Sequence, residues 1–154
     1  MIPPVKGQKV SSTESLYRRA YIDPVLIKYR QGKGVHLKAF KLRLSRERKE
    51  DALSVDVAGL TTKERALPDS STHFLLELAV RDIELLNEKS RSFGEESSLP
   101  ELEVLHDPEE DNSAHALITG MDETNHDLVA KELCKLATVI GPNEPTESQK
   151  GGAS

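Results

Sequence analysis

The chain carries a single cysteine, Cys134, and no tryptophan among its 154 residues. One thiol excludes an internal disulfide and any multi-cysteine zinc or iron–sulfur centre, and it fits a reducing compartment. With three Tyr and three Phe, aromatic content is only 4%, so the core has to be built from Leu, Val, Ile and Ala. Long apolar runs are missing too. No stretch approaches the roughly 18–20 apolar residues of a membrane span, and Met1-Ile2-Pro3-Pro4-Val5 turns polar too soon for a secretory signal. The expectation is a cytoplasmic chain that does not meet a membrane. Nucleotide-binding and hydrolase patterns are absent as well. Gly32-Lys33-Gly34 lacks the strand–loop–helix frame and G-K-[ST] ending of a phosphate loop and reads as a turn. No cofactor is implied.

What is present is an asymmetry of charge. Residues 1–49 hold 13 Lys/Arg against 3 Asp/Glu, and residues 50–154 hold 8 against 23, a split of +10 and −15 hidden in the overall −5. Such a split suits a charged partner or two opposed surfaces. The hydrophobic fraction of 36% is enough for one modest core. Residues 1–12 and 141–154 are rich in Pro, Gly, Ser and Lys and cannot offset the entropy of being ordered. They read as a flexible N-terminal tail and a disordered C-terminal tail around a single domain, 13–140. No pattern fixes an oligomeric state.

Residues 13–22 read as a short helix capped by Ser12 or Thr13, with Leu16 and Ala20 inward. Residues 35–44 alternate like a half-buried strand whose phase slips near Ala39-Phe40, where a bulge would restore the pleat. Residues 52–58 alternate through Leu53, Val55 and Val57 and pair with 35–44 as a hairpin. Thr61 and Glu64 suggest a capping box on a short helix ending at Leu67. Residues 73–86 fit a strand through Phe74, Leu76, Leu78 and Val80 or a helix through Leu75, Leu78, Ala79, Ile83 and Leu86; a strand to Val80 and then a short helical turn is preferred. Residues 87–99 read as a polar loop, 101–105 and 115–121 as strands, and 106–114 as a turn. The last element, 125–140, shows an apolar stripe of Leu128, Val129, Leu133, Leu136, Ala137 and Ile140 stopped by Gly141-Pro142.

Reactive side chains concentrate at 106–127. His106, Asp107, Asn112 and His115 are the candidate catalytic residues, because imidazoles titrate near neutrality and an acidic or amide neighbour can orient one of them. Their spacing matches no metal-ligand pattern, so no metal is assigned. The plainer reading has Asp107, Asp111 and Asn112 bonding their own backbone as turn residues, with His115 at a strand end. Cys134, beside the apolar stripe, reads as a small buried hydrophobe. Polyanion binding has its own candidates in Arg30, Lys38, Lys41 and Arg43, which lie with other basic residues and Tyr17, Tyr21 and Tyr29 in residues 17–49. The same residues would serve equally as a solvated strand face.

Leu53-Ser54-Val55-Asp56, followed by His106-Asp107-Pro108 and Asn112-Ser113-Ala114-His115-Ala116-Leu117-Ile118-Thr119-Gly120, resembles the signature of a family of small uncharacterised bacterial proteins. In that family an "LSVD" strand precedes an "HDP…N-x-AHA-x-I-x-G" segment and a Leu/Ala-rich helix. The resemblance spans about 35–140 and implies a bacterial source and a compact domain, without catalytic roles. The resulting expectation is an α+β fold: a small, mostly antiparallel sheet packed against a C-terminal amphipathic helix. The functional expectation is a non-catalytic binding or accessory module that contacts a protein partner through charged surfaces. Its alternatives are a nucleic-acid-binding module using the basic 18–49 region and a small enzyme using His106 and His115.

Overall fold

Leu53, Val55 and Val57, with Ala116 and Ile118, line one face of a sheet in the computed structural model, which describes residues 4–21, 37–40, 42, 51–68, 73–93 and 99–141. The described elements are β1 (Ser15–Tyr21), β2 (Leu53–Val57), α1 (Lys63–Ala66), β3 (His73–Ala79), α2 (Val80–Phe93), β4 (Glu103–His106), β5 (His115–Thr119), α3 (His126–Leu136) and β6 (Thr138–Gly141), with 3-10 turns at Leu37–Phe40 and Ala58–Leu60. Six strands form one sheet in the order β4-β5-β2-β1-β3-β6, and every neighbouring pair is antiparallel. The fold is α+β. Leu16, Leu76, Leu78 and Val104 extend the apolar face, and Ala39, Phe40, Ile83, Val129 and Leu133 join the same core cluster from the segments that cover it. Among the described residues no helix is long and apolar enough to cross a membrane.

The first difference from the sequence reading is β1. Residues 15–21 are a strand, not a helix, with Leu16 opposite Leu78 and Val57. Leu16 and Ala20 share a face in either geometry, since a spacing of four suits both periods. The residue that disguises the strand is Arg18, which sits between them on the apolar side. Its Nε donates to the Ala39 carbonyl at 2.6 Å and an Nη to the Ser54 carbonyl at 2.7 Å, while its guanidinium carbon lies 5.6 Å from the centre of the Phe40 ring. A planar donor fork that finds two carbonyls and an aromatic face can occupy such a position.

The hairpin of 35–44 with 52–58 does not form either. Both edges of β2 are taken, one by β1 and the other by β5. Residues Leu37–Phe40 make a 3-10 turn, and Ala39, Phe40 and Leu42 are buried. The Leu42 amide donates to His126 Nδ1 at 3.2 Å, tying this segment to the start of α3. The turn read at Gly32-Lys33-Gly34 lies outside the described residues.

The strand preferred at 73–80 is present, but the helix after it runs to Phe93 where a polar loop was expected. Asn87 explains the misreading. It continues the stripe Val80, Ile83, Leu86 and is buried, with its amide donating to the Leu102 carbonyl at 2.8 Å and accepting from the Leu102 amide at 3.0 Å. The short helix at 63–66 is capped by Thr62, whose hydroxyl accepts from Arg65 N at 3.2 Å, and not by Thr61. The C-terminal helix ends at Leu136, four residues short of Ile140. The chain turns extended at Ala137 and Thr138–Gly141 adds a sixth strand beside β3. Thr138, Val139 and Ile140 are β-branched and favour a pleated edge over a helix end. A Cβ at Gly141 would lie 3.1 Å from Leu75 Cβ and 3.2 Å from Leu67 Cδ2, so this close approach favours glycine.

Residues 7–10, within the segment 1–12 read from sequence as tail, run along the outer edge of β4. The Gly7 amide donates to the His106 carbonyl, the His106 amide to Gln8, and the Val10 amide to Val104, each at 2.8–2.9 Å. Val10 is buried in the core cluster. The edge strand is thereby paired rather than left open. The expected C-terminal tail beyond Gly141 lies outside the described residues.

Candidate functional site

The strand register decides which candidate residues meet. His106 pairs with Ala116, and His115 with Asp56. Because neighbours along β5 point to opposite faces, His106 falls on the apolar side with Ala116, while His115 falls on the other. The two imidazoles therefore do not share a site. His106 Nδ1 is buried with no hydrogen-bond partner.

His115 is met instead by Asp107. The Asp107 amide donates to the His115 carbonyl at 2.9 Å, which extends the β4–β5 ladder by one step beyond His106. His115 Nδ1 lies 3.0 Å from Asp107 Oδ2 and 3.1 Å from the Asp107 carbonyl. Both partners are acceptors, so Nδ1 carries the proton. Glu109 Oε2 stands 3.8 Å from the same nitrogen, and Lys6 Nζ lies 3.5 Å from the second Asp107 oxygen.

Asn112 serves a different pairing. Its Nδ2 donates to Asp56 Oδ1 at 2.9 Å, and its Oδ1 accepts from the Ala114 amide at 3.2 Å. Glu109 and Asn112 exchange backbone hydrogen bonds of 3.0 and 3.1 Å across the turn. Asn112 thus does what a turn residue does and also anchors the loop to β2. Asp56 is buried although charged, and Asn112 is its hydrogen-bond partner.

Between this loop and residues 60–65 lies a cleft of about 480 Å3. Arg19 and Asp56 line it from the sheet, Leu60, Thr61 and Arg65 from one side, and Glu109, Glu110, Asp111, Asn112 and Ser113 from the other. Two arginines face four carboxylates there, and Leu60 is the one large apolar residue in the lining. Sequence reasoning missed Asp56, Arg65, Glu109 and Glu110 as site residues and saw Arg19 only as part of the basic stretch 17–49. The available signal was Asp56, a carboxylate alternating with Val55 and Val57 and therefore directed away from the apolar face.

The polyanion candidates fare differently. Arg30, Lys41 and Arg43 lie outside the described residues. Lys38 falls in the Leu37–Phe40 turn, and its side chain is outside them too. Arg18, from the same basic stretch, is committed to Ala39, Ser54 and Phe40.

Two titrating groups stand apart from the cleft. Hydrogen bonds from the Thr124 hydroxyl and amide hold the Asp122 carboxyl below its ordinary range, with the Asn125 amide and nearby His126 acting in the same direction. This carboxylate organises the entry to α3, where Asn125 makes no side-chain cap of its own but accepts from the Asp122 amide at 2.7 Å. Burial pushes the Cys134 thiol up to about 11. The neutral thiol is favoured by folding, so this contribution to stability is complete below the unfolded value near 9.0 and is lost as pH rises through about 11. Alkylation of Cys134 by iodoacetamide at pH 8 is expected to run about 100-fold slower than in the urea-unfolded chain, because the thiolate is the nucleophile. Equal rates would show that the thiol is not held in the core.

Comparison with protein-family models, with curated proteins and with solved structures finds no match.

Proposed function

We propose that this protein is a non-catalytic binding module of a bacterial cytoplasm that holds a basic segment of a protein partner in the cleft between residues 60–65 and 109–113; the sequence resemblance supports the bacterial source, and the lone cysteine and polar N-terminus support the compartment. The supporting observation is the lining of that cleft: four carboxylates, from Asp56, Glu109, Glu110 and Asp111, outnumber Arg19 and Arg65. An excess of negative charge repels nucleic-acid phosphates and attracts Lys and Arg. Small-molecule sites are mostly apolar, and this lining is mostly polar. The two arginines add a requirement, since a partner that also carries a carboxylate fits better than a uniformly basic one.

The test is capture of partners from a native host extract by immobilised protein. The Glu110→Lys, Asp111→Lys double variant is expected to lose a band that the wild type retains, and the wild-type band is expected to weaken as salt rises. A Lys131→Glu control, far from the cleft on α3, should capture normally. Retention of the same band by the double variant would contradict this function.

A further inference from the structure

Beside the cleft, a histidine and two carboxylates converge on one small volume. Nitrogen and oxygen ligand atoms of Asp107, Glu109 and His115 all lie within 4.8 Å of one another. A tetrahedral ion with bonds of about 2.1 Å holds its ligand atoms about 3.4 Å apart. The distances from His115 Nδ1, 3.0 Å to Asp107 Oδ2 and 3.8 Å to Glu109 Oε2, bracket that spacing. We propose that Asp107, Glu109 and His115 form a binding site for a divalent transition-metal ion of the zinc class.

Three further features support the assignment. The first is rigidity, since the side chains of His115 and Asp107 are only 14% and 18% exposed. Asp107 and His115 face each other at the end of the β4–β5 ladder, and Glu109 is fixed by its paired backbone bonds to Asn112. The second is a fourth donor, the Asp107 carbonyl, 3.1 Å from the same ring nitrogen. The third is the mixture of donors. One imidazole with carboxylates suits zinc, cobalt or manganese, whereas calcium and magnesium favour oxygen alone. Lys6 reaches Asp107 Oδ1 and leaves Oδ2 for the ion. On binding, the proton on His115 Nδ1 moves to Nε2, the other tautomer of neutral imidazole, and the ion takes its place. The ion would clip the two ends of the 107–115 loop together at the rim of the cleft, where Glu109 belongs to both.

This site goes beyond the partner-binding reading and is tested separately, with untagged full-length protein, by calorimetric titration of Zn2+ and by the visible absorption of bound Co2+. One equivalent of each is expected to bind. His115→Ala and Asp107→Asn should weaken binding by at least about 100-fold and remove the cobalt bands, and Glu109→Gln should weaken it by about 10-fold. His106→Ala should leave affinity within about twofold. Circular dichroism of the metal-free variants reports folding, and if His115→Ala or Asp107→Asn does not fold, the half-exposed Glu109→Gln decides. No binding by the wild type, or binding unchanged by the ligand variants, would overturn the proposal.

Discussion

Gly120→Ala is expected to lower stability by about 3–5 kcal/mol, enough to unfold a protein of ordinary marginal stability in mild urea. Gly120 follows β5 with φ +115, a conformation that residues with a Cβ rarely adopt. An added Cβ would lie 2.2 Å from the Glu101 carbonyl oxygen and 3.3 Å from Leu102 Cα. Backbone cannot rotate out of the way as a side chain can, so the penalty combines conformational strain with overpacking. Urea unfolding followed by circular dichroism measures it. A change below about 1 kcal/mol would mean that the chain after β5 does not approach residues 101–102 so closely.

Asn87→Ala acts on the same junction from the other side. Its amide satisfies both the carbonyl and the amide of Leu102, and both bonds are buried. Removing it strands a donor and an acceptor, at a cost of about 2–5 kcal/mol. Asn87→Asp is expected to be nearly as damaging, because a carboxylate can still accept from the Leu102 amide but repels its carbonyl. Loss of this contact should also loosen the start of β4 and, through it, the loop that carries Asp107. Hydrogen exchange at the Leu102 amide is expected to speed up sharply in Asn87→Ala. Unchanged exchange there would show that water or another group replaces the side chain.

These junctions indicate what the sequence could and could not convey. β2 was legible because its alternation is clean, with Leu53, Val55 and Val57 on one side and Ser54 and Asp56 on the other; β5 keeps the same period through Ala116 and Ile118, whereas in β3 the buried Leu75 on the second face left a helix equally open. β1 and the second half of α2 were not, because Arg18 and Asn87 stand in apolar stripes and look like interruptions. Each is accommodated by backbone groups far away in sequence, Ala39 and Ser54 for one and Leu102 for the other. Such partners are tertiary facts that no local pattern reports. The sixth strand was hidden for another reason, since Ile140 continues the helical stripe of Leu133, Leu136 and Ala137 in spacing while the branching of Thr138, Val139 and Ile140 favours a strand.

The candidate site was half legible. The segment 106–115 drew attention through its density of His, Asp and Asn, and the structure does bring Asp107 to His115. The supposed pairing of His106 with His115 fails on pleat parity, which depends on register. Asp56 and Arg19 reach the cleft only because β2 and β1 are neighbours in the sheet, and that adjacency was obscured while residues 13–22 read as a helix.

Under the proposed function the polar cleft, rather than some other surface, receives the partner. A photoreactive side chain, p-benzoylphenylalanine, placed at Ser113 on the cleft wall and separately at Leu85 on the exposed side of α2 tests it in the native host. Irradiation is expected to give a discrete crosslinked protein from Ser113 and none from Leu85, and that product should vanish when Glu110 and Asp111 are both changed to Lys. Identical adducts from both positions, or none from Ser113, would show that the cleft is not where the partner binds.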